Sequence, residues 1–191
     1  STKKKLSLEF EKLGKYTKKI HKVKLDNFGQ FNISEIINNG KGKGLNKTWK
    51  EYILTNFGEH IKICYRNKLI DKTEAFRIEK VVTGVMTEEK IKEGVLLNGD
   101  LANHNVFYRS SRIAGIIDWE DSIVGDSIYD LAFWITGAYY DEEWIKPFLK
   151  GYGGFENNLG ISADAFSLVQ TVEPLTIEFT SNLGTTTPAL W

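Results

Sequence analysis

Three oxygen-bearing side chains stand close together in the middle of the chain: Asp100, Asn105 five residues on, and Asp118 after the next apolar runs. Carboxylate and amide oxygens are hard donors of the kind magnesium prefers, and magnesium keeps several positions for water and phosphate. If Asn105 and Asp118 hold such an ion, Asp100 is left free of metal to accept a hydroxyl proton. Phosphoryl transfer asks for this division, because it needs an oriented acceptor and neutralised phosphate charge more than it needs covalent help. Asp-x-x-x-x-Asn alone is common by chance and Asp118 alone could simply end a strand. The combination carries the expectation.

Positioning these groups falls to the stretch from Gly94 to Trp119. Val95-Leu96-Leu97, Val106-Phe107-Tyr108 and Ile113-Ala114-Gly115-Ile116-Ile117 are short, strand-like apolar runs. Arg109-Ser110-Ser111-Arg112 is a hairpin-length connection, so the second and third runs are expected to pair antiparallel. That pairing brings the loop Asn98 to Asn105 and the turn at Asp118 to one end of a small sheet.

The remainder reads as helices. Leu6, Phe10, Leu13, Thr17 and Ile20 share one side of a first helix whose other faces carry Lys12, Lys15, Lys18, Lys19 and Lys22. Asp26 to Gln30 is a turn by its chemistry and Asn38 to Gly44 a loop. Asn46 or Thr48 is expected to cap a helix carrying Trp49, Tyr52, Ile53 and Phe57 and ended by Gly58. Two more helices follow, around His60 to Leu69 and Thr73 to Val85. The expected class is α+β, mostly helical, with a small hairpin or sheet carrying the reactive loop.

Composition narrows the partners. With 191 residues, 41% of them apolar, and five Trp, the chain suffices for one domain or one large lobe. Lys plus Arg equals Asp plus Glu at 25 each, so no overall charge draws it to nucleic acid or an anionic membrane. Cys64 is the single cysteine, which excludes an internal disulfide and favours a reducing, cytoplasmic setting; it is expected to be buried. No apolar run approaches the roughly 20 residues of a membrane span.

Other motifs weigh less. Lys41, Lys43 and Lys47-Thr48 suggest a phosphate loop, but Asn46 stands where glycine is needed. His21, His60 and His104 lack metal-ligand spacing, and His104 is expected to make loop hydrogen bonds. Glu120, Asp121, Asp141, Glu142 and Glu143 either form an acidic cleft for a cationic amine or are solvent-facing charges. Trp119, Trp134, Tyr139, Tyr140 and Trp144 could wall such a pocket, although helical spacing makes most of them core.

Asn98-Gly99-Asp100-Leu101-Ala102-Asn103-His104-Asn105-Val106, then Gly115-Ile116-Ile117-Asp118-Trp119-Glu120-Asp121, then Gly125-Asp126-Ser127-Ile128-Tyr129-Asp130-Leu131-Ala132 together resemble the active-site signature of the aminoglycoside phosphotransferase and choline kinase family. The Asp-to-Asn spacing is also that of the protein-kinase catalytic loop. A weaker similarity covers Leu13 through Gly29, in Ile20-His21 and Phe28-Gly29. The resemblance implies a protein-kinase-like C-terminal lobe, with Asp100 as catalytic base and Asn105 and Asp118 as Mg2+ ligands. It implies Asp126 and Asp130 as braces of the site, with Asn98 where the family usually has a supporting His; Asp126 could equally be a plain N-cap. The co-substrate implied is ATP or GTP, and the acceptor a small molecule, expected to be cationic. Residues 1–191 then correspond to the catalytic lobe, and the N-terminal nucleotide-binding lobe is expected to be absent, a missing partner. The tail Leu175 to Trp191 does not continue the helices expected there. A non-catalytic kinase-like module that sequesters a cationic ligand or partner is the alternative.

Overall fold

In the computed structural model, which describes residues 2–55, 57–85, 91–138 and 141–154, the amphipathic opening forms α1 (Thr2–Ile20). Phe10, Leu13 and Thr17 are buried as their spacing requires, joined by Glu9 and His21, while Leu6 is exposed. The lysines named above all face solvent. Next come β1 (Lys24–Leu25) and β2 (Phe28–Phe31), with Asn27 between them at φ 62. The expected turn is thus confined to Asp26 and Asn27, because Phe28 and Gly29 are already buried strand residues.

α2 (Ile33–Asn39) follows, capped by the Asn32 side chain, which accepts from the Glu35 amide at 3.2 Å, and closed by Gly40 at φ 66. This helix was not expected; it has seven residues and buries none of them, so it leaves no periodic signal. β3 (Gly44–Asn46) and α3 (Trp49–Ile53) come next, then α4 (Phe57–Arg66) and α5 (Lys72–Val85). The single helix expected from Trp49 to Phe57 is in fact broken. Thr55 Oγ1 donates to the Glu51 carbonyl at 2.7 Å at the end of α3, and Gly58 lies in the first turn of α4, where helix amides lack partners in any case. Asp71 and Glu74 form a reciprocal capping box for α5, at 2.8 and 2.9 Å.

The last third carries β4 (Gly94–Leu97), a 3-10 turn (Asn103–Asn105), β5 (Val106–Arg109), β6 (Arg112–Ile116), β7 (Ile123–Gly125), α6 (Ile128–Gly137) and α7 (Glu142–Tyr152). β5 and β6 form the expected antiparallel hairpin, turning through Ser110 and Ser111, both left-handed at φ 50 and 59. The first apolar run does not join it. β4 belongs to a five-stranded antiparallel sheet of order β1-β4-β7-β2-β3, which is larger than expected because its strands, at two to four residues, are too short to show alternation.

Among the described residues two compact units separate, residues 2–49 and 91–154 in one and residues 50–85 in the other. The second is built on Cys64, Ile70, Ile78 and Val82, packed with Phe57 and Ile61. Among the described residues no helix is long and apolar enough to cross a membrane.

In the first unit α1 is the spine. Phe10 meets Trp144 at 5.1 Å between ring centroids and His21 meets Tyr152, so α7 runs parallel to α1. Phe10 also meets Trp134 at 5.4 Å while His21 meets Asp130, so α6 runs antiparallel. Gly14 and Gly151 let α1 and α7 touch backbone to backbone: a Cβ on Gly14 would fall 2.0 Å from the Phe148 carbonyl oxygen, and one on Gly151 1.9 Å from that of Glu11. Glu11 accepts from Lys15 on its own helix and from Lys150 across the same seam, each at 2.8 Å, and these lysines hold its carboxyl down to about 2. Gly151→Ala is expected to destabilise the protein by about 1–3 kcal/mol, the usual cost of forcing atoms into a filled interface. Urea unfolding measures it, and an unchanged midpoint would contradict the close helix contact.

Candidate active site

β4 delivers the chain to Asn98, which is buried with its amide donating to Asp130 Oδ2 at 2.8 Å; the Gly99 amide donates to Asp130 Oδ1 at 3.0 Å. Gly99 lies at φ 88, and a Cβ there would sit 1.9 Å from the Asp121 carbonyl oxygen. Only glycine fits that left-handed, closely covered position. Leu101 and Ala102 then anchor the loop in the core. Between them Asp100 presents a partly exposed carboxylate.

The 3-10 turn ends on Asn105, which is buried. Its Nδ2 donates both to the Asp100 carbonyl and to Asp100 Oδ2, each at 2.9 Å. One amide therefore fixes the backbone and the carboxylate of Asp100, and its Oδ1 is left as the acceptor atom available to a cation. The hairpin closes the arrangement: the Ile117 amide donates to the Asn105 carbonyl at 2.9 Å, and Asn98 Nδ2 donates to the Asp118 carbonyl at 3.0 Å. Asp118 itself is exposed and left-handed at φ 57, a conformation Asp tolerates better than most residues. The main chains of Asn105 and of Ile117, the residue before Asp118, thus pair at one end of the hairpin, which brings an amide and a carboxylate residue to the same end. This donor set suits Mg2+, which needs few protein ligands. Among the described residues, no group of three or more His, Cys, Asp or Glu side chains is gathered for a metal.

Phe107 on β5 and Ile117 just past the end of β6, beside these two residues, are 55% and 49% exposed. Phe107 lies opposite Gly115 in register, and cross-strand partners share a face, as does Ile117 two residues on. A Cβ on Gly115 would meet only open space. The result is a shallow apolar shelf that the sequence reading did not single out.

Behind the loop, Asp130 also meets His21 Nε2 at 3.1 Å, and His21 Nδ1 meets the Tyr152 hydroxyl at 2.8 Å. His21 was not singled out for this place, although it follows Leu13 and Thr17 at four-residue intervals just past the end of α1; Tyr152 had no such signal. Asp126 is an N-cap, with the Ile128 amide donating to its Oδ1 at 3.1 Å.

The five acidic residues do not form one cleft. Glu120 and Asp121 are exposed directly after Asp118. Asp141 instead caps α7, accepting from the Glu143 amide at 2.8 Å, and Glu142 pairs with Lys146. Glu142 and Glu143 line a cleft of about 480 Å³ with Lys4, Phe10 and Trp144. Because α7 runs parallel to α1, this cleft lies toward the opposite end of the pair from His21, about 16–25 Å along a helix at 1.5 Å per residue. Trp134 is core, and Trp119 donates through Nε1 to the Ile116 carbonyl at 2.9 Å. Tyr139, Tyr140 and the tail Leu175 to Trp191 lie outside the described residues. His104 does not make the expected loop hydrogen bonds; its side chain is 72% exposed, with Nε2 3.6 Å from Asp100 Oδ2.

Residues 5–161 match the phosphotransferase enzyme family. Hygromycin-B 4-O-kinase from Escherichia coli is 26% identical over 99 residues, a match covering 49% of this chain and 28% of that enzyme. Among solved structures, the apo form of a thermostable mutant of aminoglycoside phosphotransferase APH(4)-Ia gives a TM-score of 0.65 at 17% identity, covering 95% of this chain and 61% of that one. A ternary complex of that enzyme with ADP and hygromycin B gives 0.65 at 16%, with the same coverage. A gentamicin complex of APH(2")-IIa gives 0.58 at 18%, covering 91% and 62%. The fold is that of these phosphotransferases, as the resemblance implied, and the chain spans less than two thirds of their length.

Burial pushes the Asp126 carboxyl up, against the hydrogen bonds from Ile128 and Ser127. A carboxyl raised in the folded state contributes stability below its unfolded pKa and loses that contribution as pH rises through the folded value. Asp126→Asn keeps a capping acceptor and is expected to remove this loss, so its stability relative to wild type rises with pH across that window. Unfolding at a series of pH values measures the difference; parallel profiles would contradict the assignment.

Proposed function

This chain belongs to the phosphotransferase enzyme family, and from that premise we propose that it moves the γ-phosphate of ATP or GTP to a hydroxyl of a small, cationic, aminoglycoside-like molecule. The observation that carries the reading is the double hydrogen bond from Asn105 Nδ2 to Asp100, which locks the candidate base to a candidate metal ligand.

In this reading Asp100 accepts the proton of the acceptor hydroxyl as its oxygen bonds to the γ-phosphorus. The bond from phosphorus to the bridging oxygen breaks, and the nucleoside diphosphate leaves. Asn105 Oδ1 and the Asp118 carboxylate would hold Mg2+, whose part is to neutralise phosphate charge. Asn98 and Asp130 hold the backbone that presents these groups, and Asp126 supports them by starting α6. The shelf of Phe107, Gly115 and Ile117 receives the flat base of the nucleotide. Glu120 and Asp121 supply negative charge beside the site for a cationic acceptor, and relatives that bind hygromycin B or gentamicin support that class. The described residues act as the catalytic lobe, with a nucleotide-covering lobe outside this sequence completing the enzyme. A cytoplasmic location, where nucleoside triphosphates are available, fits this role.

Calorimetric titration of the chain with ATP or GTP, with and without magnesium, is expected to show magnesium-dependent binding that Asp118→Ala abolishes. In the complete enzyme, Asp100→Ala is expected to lower turnover by about 10²–10⁴-fold, the range for losing a positioned general base. Near-normal turnover of that variant would sink the assignment. Ligand binding with no turnover by the complete wild type would favour a sequestering module.

The shelf has a separate test. Gly115→Leu should leave the fold intact, because its side chain enters open space, and weaken nucleotide binding about tenfold, equivalent to about 1.4 kcal/mol. Unaltered affinity would move the base elsewhere.

A further inference from the structure

The hydrogen bonds behind the catalytic loop continue past Asp130 into two other helices. Asp130 takes the amides of Asn98 and Gly99, the two residues before Asp100, and Oδ2 also meets His21 Nε2. An ionised carboxylate only accepts, so Nε2 carries the proton. In the neutral ring Nδ1 is then an acceptor, facing the Tyr152 hydroxyl at 2.8 Å. Burial pushes the Tyr152 phenol up, so it remains a hydroxyl and a donor, and Ser127 bonds to it as well. Asp130, His21 and Tyr152 are all buried.

A histidine that merely satisfied itself in the core would need one partner per nitrogen, with no demand on where they lead. Here the series ends on two consecutive main-chain amides whose placement sets the Cα of Asp100. It sets Asp118 too, because Asn98 Nδ2 holds the Asp118 carbonyl. With its hydroxyl partner lost, the His21 ring keeps only the bond to Asp130 to fix its orientation, and Asp130 Oδ2 relies more on the Asn98 amide alone.

We propose that Tyr152 and His21 are positioning residues, which orient the Asp130 carboxylate and through it hold the main chain of Asn98 and Gly99. The seating of α7 on α1 is thereby linked to the geometry of the catalytic loop. The catalytic consequence rests on the phosphotransfer reading; the structural one does not.

Tyr152→Phe removes one hydroxyl and keeps the ring beside Lys18 and His21. Amide hydrogen exchange by NMR on the full chain is the decisive measurement. Asn98 and Gly99 are expected to exchange about tenfold faster in the variant, with amides of α4 and α5 and the remainder of α1 within about twofold of wild type. Asp130→Asn gives the upper bound, and His21→Gln should fall between the two. Unchanged exchange at Asn98 and Gly99 overturns the proposal, as does an equal acceleration of all amides in residues 2–49 and 91–154, which would be plain destabilisation. If His21→Gln does not fold, Tyr152→Phe decides alone. In the complete enzyme Tyr152→Phe should lower kcat three- to tenfold, at about 1.4 kcal/mol per decade, with KM for both substrates unchanged. Full activity of this variant beside an inactive Asp100→Ala refutes the positioning role and leaves the phosphotransfer reading standing. An active Asp100→Ala would overturn that reading without touching the exchange result.

Discussion

Asp130 sits in the core of the first unit and accepts hydrogen bonds from Asn98, Gly99 and His21. An unpaired buried carboxylate would cost several kcal/mol, so its burial is tolerable only because those donors are in place. The dependence runs both ways. The loop amides have left the ladder of β4 and would otherwise be buried donors without acceptors, a penalty of about 1–3 kcal/mol for each. Loop, helix α6 and helix α1 are therefore parts of one electrostatic arrangement, and none keeps its geometry if the carboxylate moves.

Around that anchor the reactive groups are arranged by economical means. Asn105 Nδ2 donates to both the carbonyl and the carboxylate of Asp100, which orients the candidate base and leaves Oδ1 out of these bonds. Asp118 is turned outward by a left-handed backbone, a conformation that costs roughly 1 kcal/mol or more for a residue with a side chain. Its carbonyl is held by Asn98 and the preceding amide by the Asn105 carbonyl, so the strain is supported by hydrogen bonds on both sides. Asn98 Nδ2 reaches the Asp118 carbonyl, and beside it Gly99 is pressed against the backbone of Asp121.

Much of this was legible in the residues. The hairpin and the long first helix follow from apolar runs and a hairpin-length connection, and the segments that carry Asp100, Asn105 and Asp118 lie at one end of that hairpin as the pairing requires. The short sheet was not legible, since strands such as Lys24–Leu25 and Ile123–Gly125 are defined by partners distant in sequence and not by any pattern of their own. The acidic residues misled for a related reason: Glu120 and Asp141 read as one cluster along the chain, but α6 intervenes and carries Asp141 to Glu143 to the opposite end of α1. Tyr152 was invisible because nothing local marks a tyrosine whose hydroxyl meets a histidine 131 residues away.

The glycine seam between α1 and α7 has a consequence for the order of events during folding. Gly14 and Gly151 allow the two backbones to touch, so once both helices are present the pair resists sliding or rotating out of this register. They are separated by most of the described chain, and contacts of such long loop closure form late. In a polypeptide made from its N-terminus, Asp100, Asn105 and Asp118 thus precede α7, which completes the frame behind them. The loop is thus made before the helix that frames it, so a chain that stops short of α7 has these side chains but not the Tyr152 end of the hydrogen-bonded series behind them.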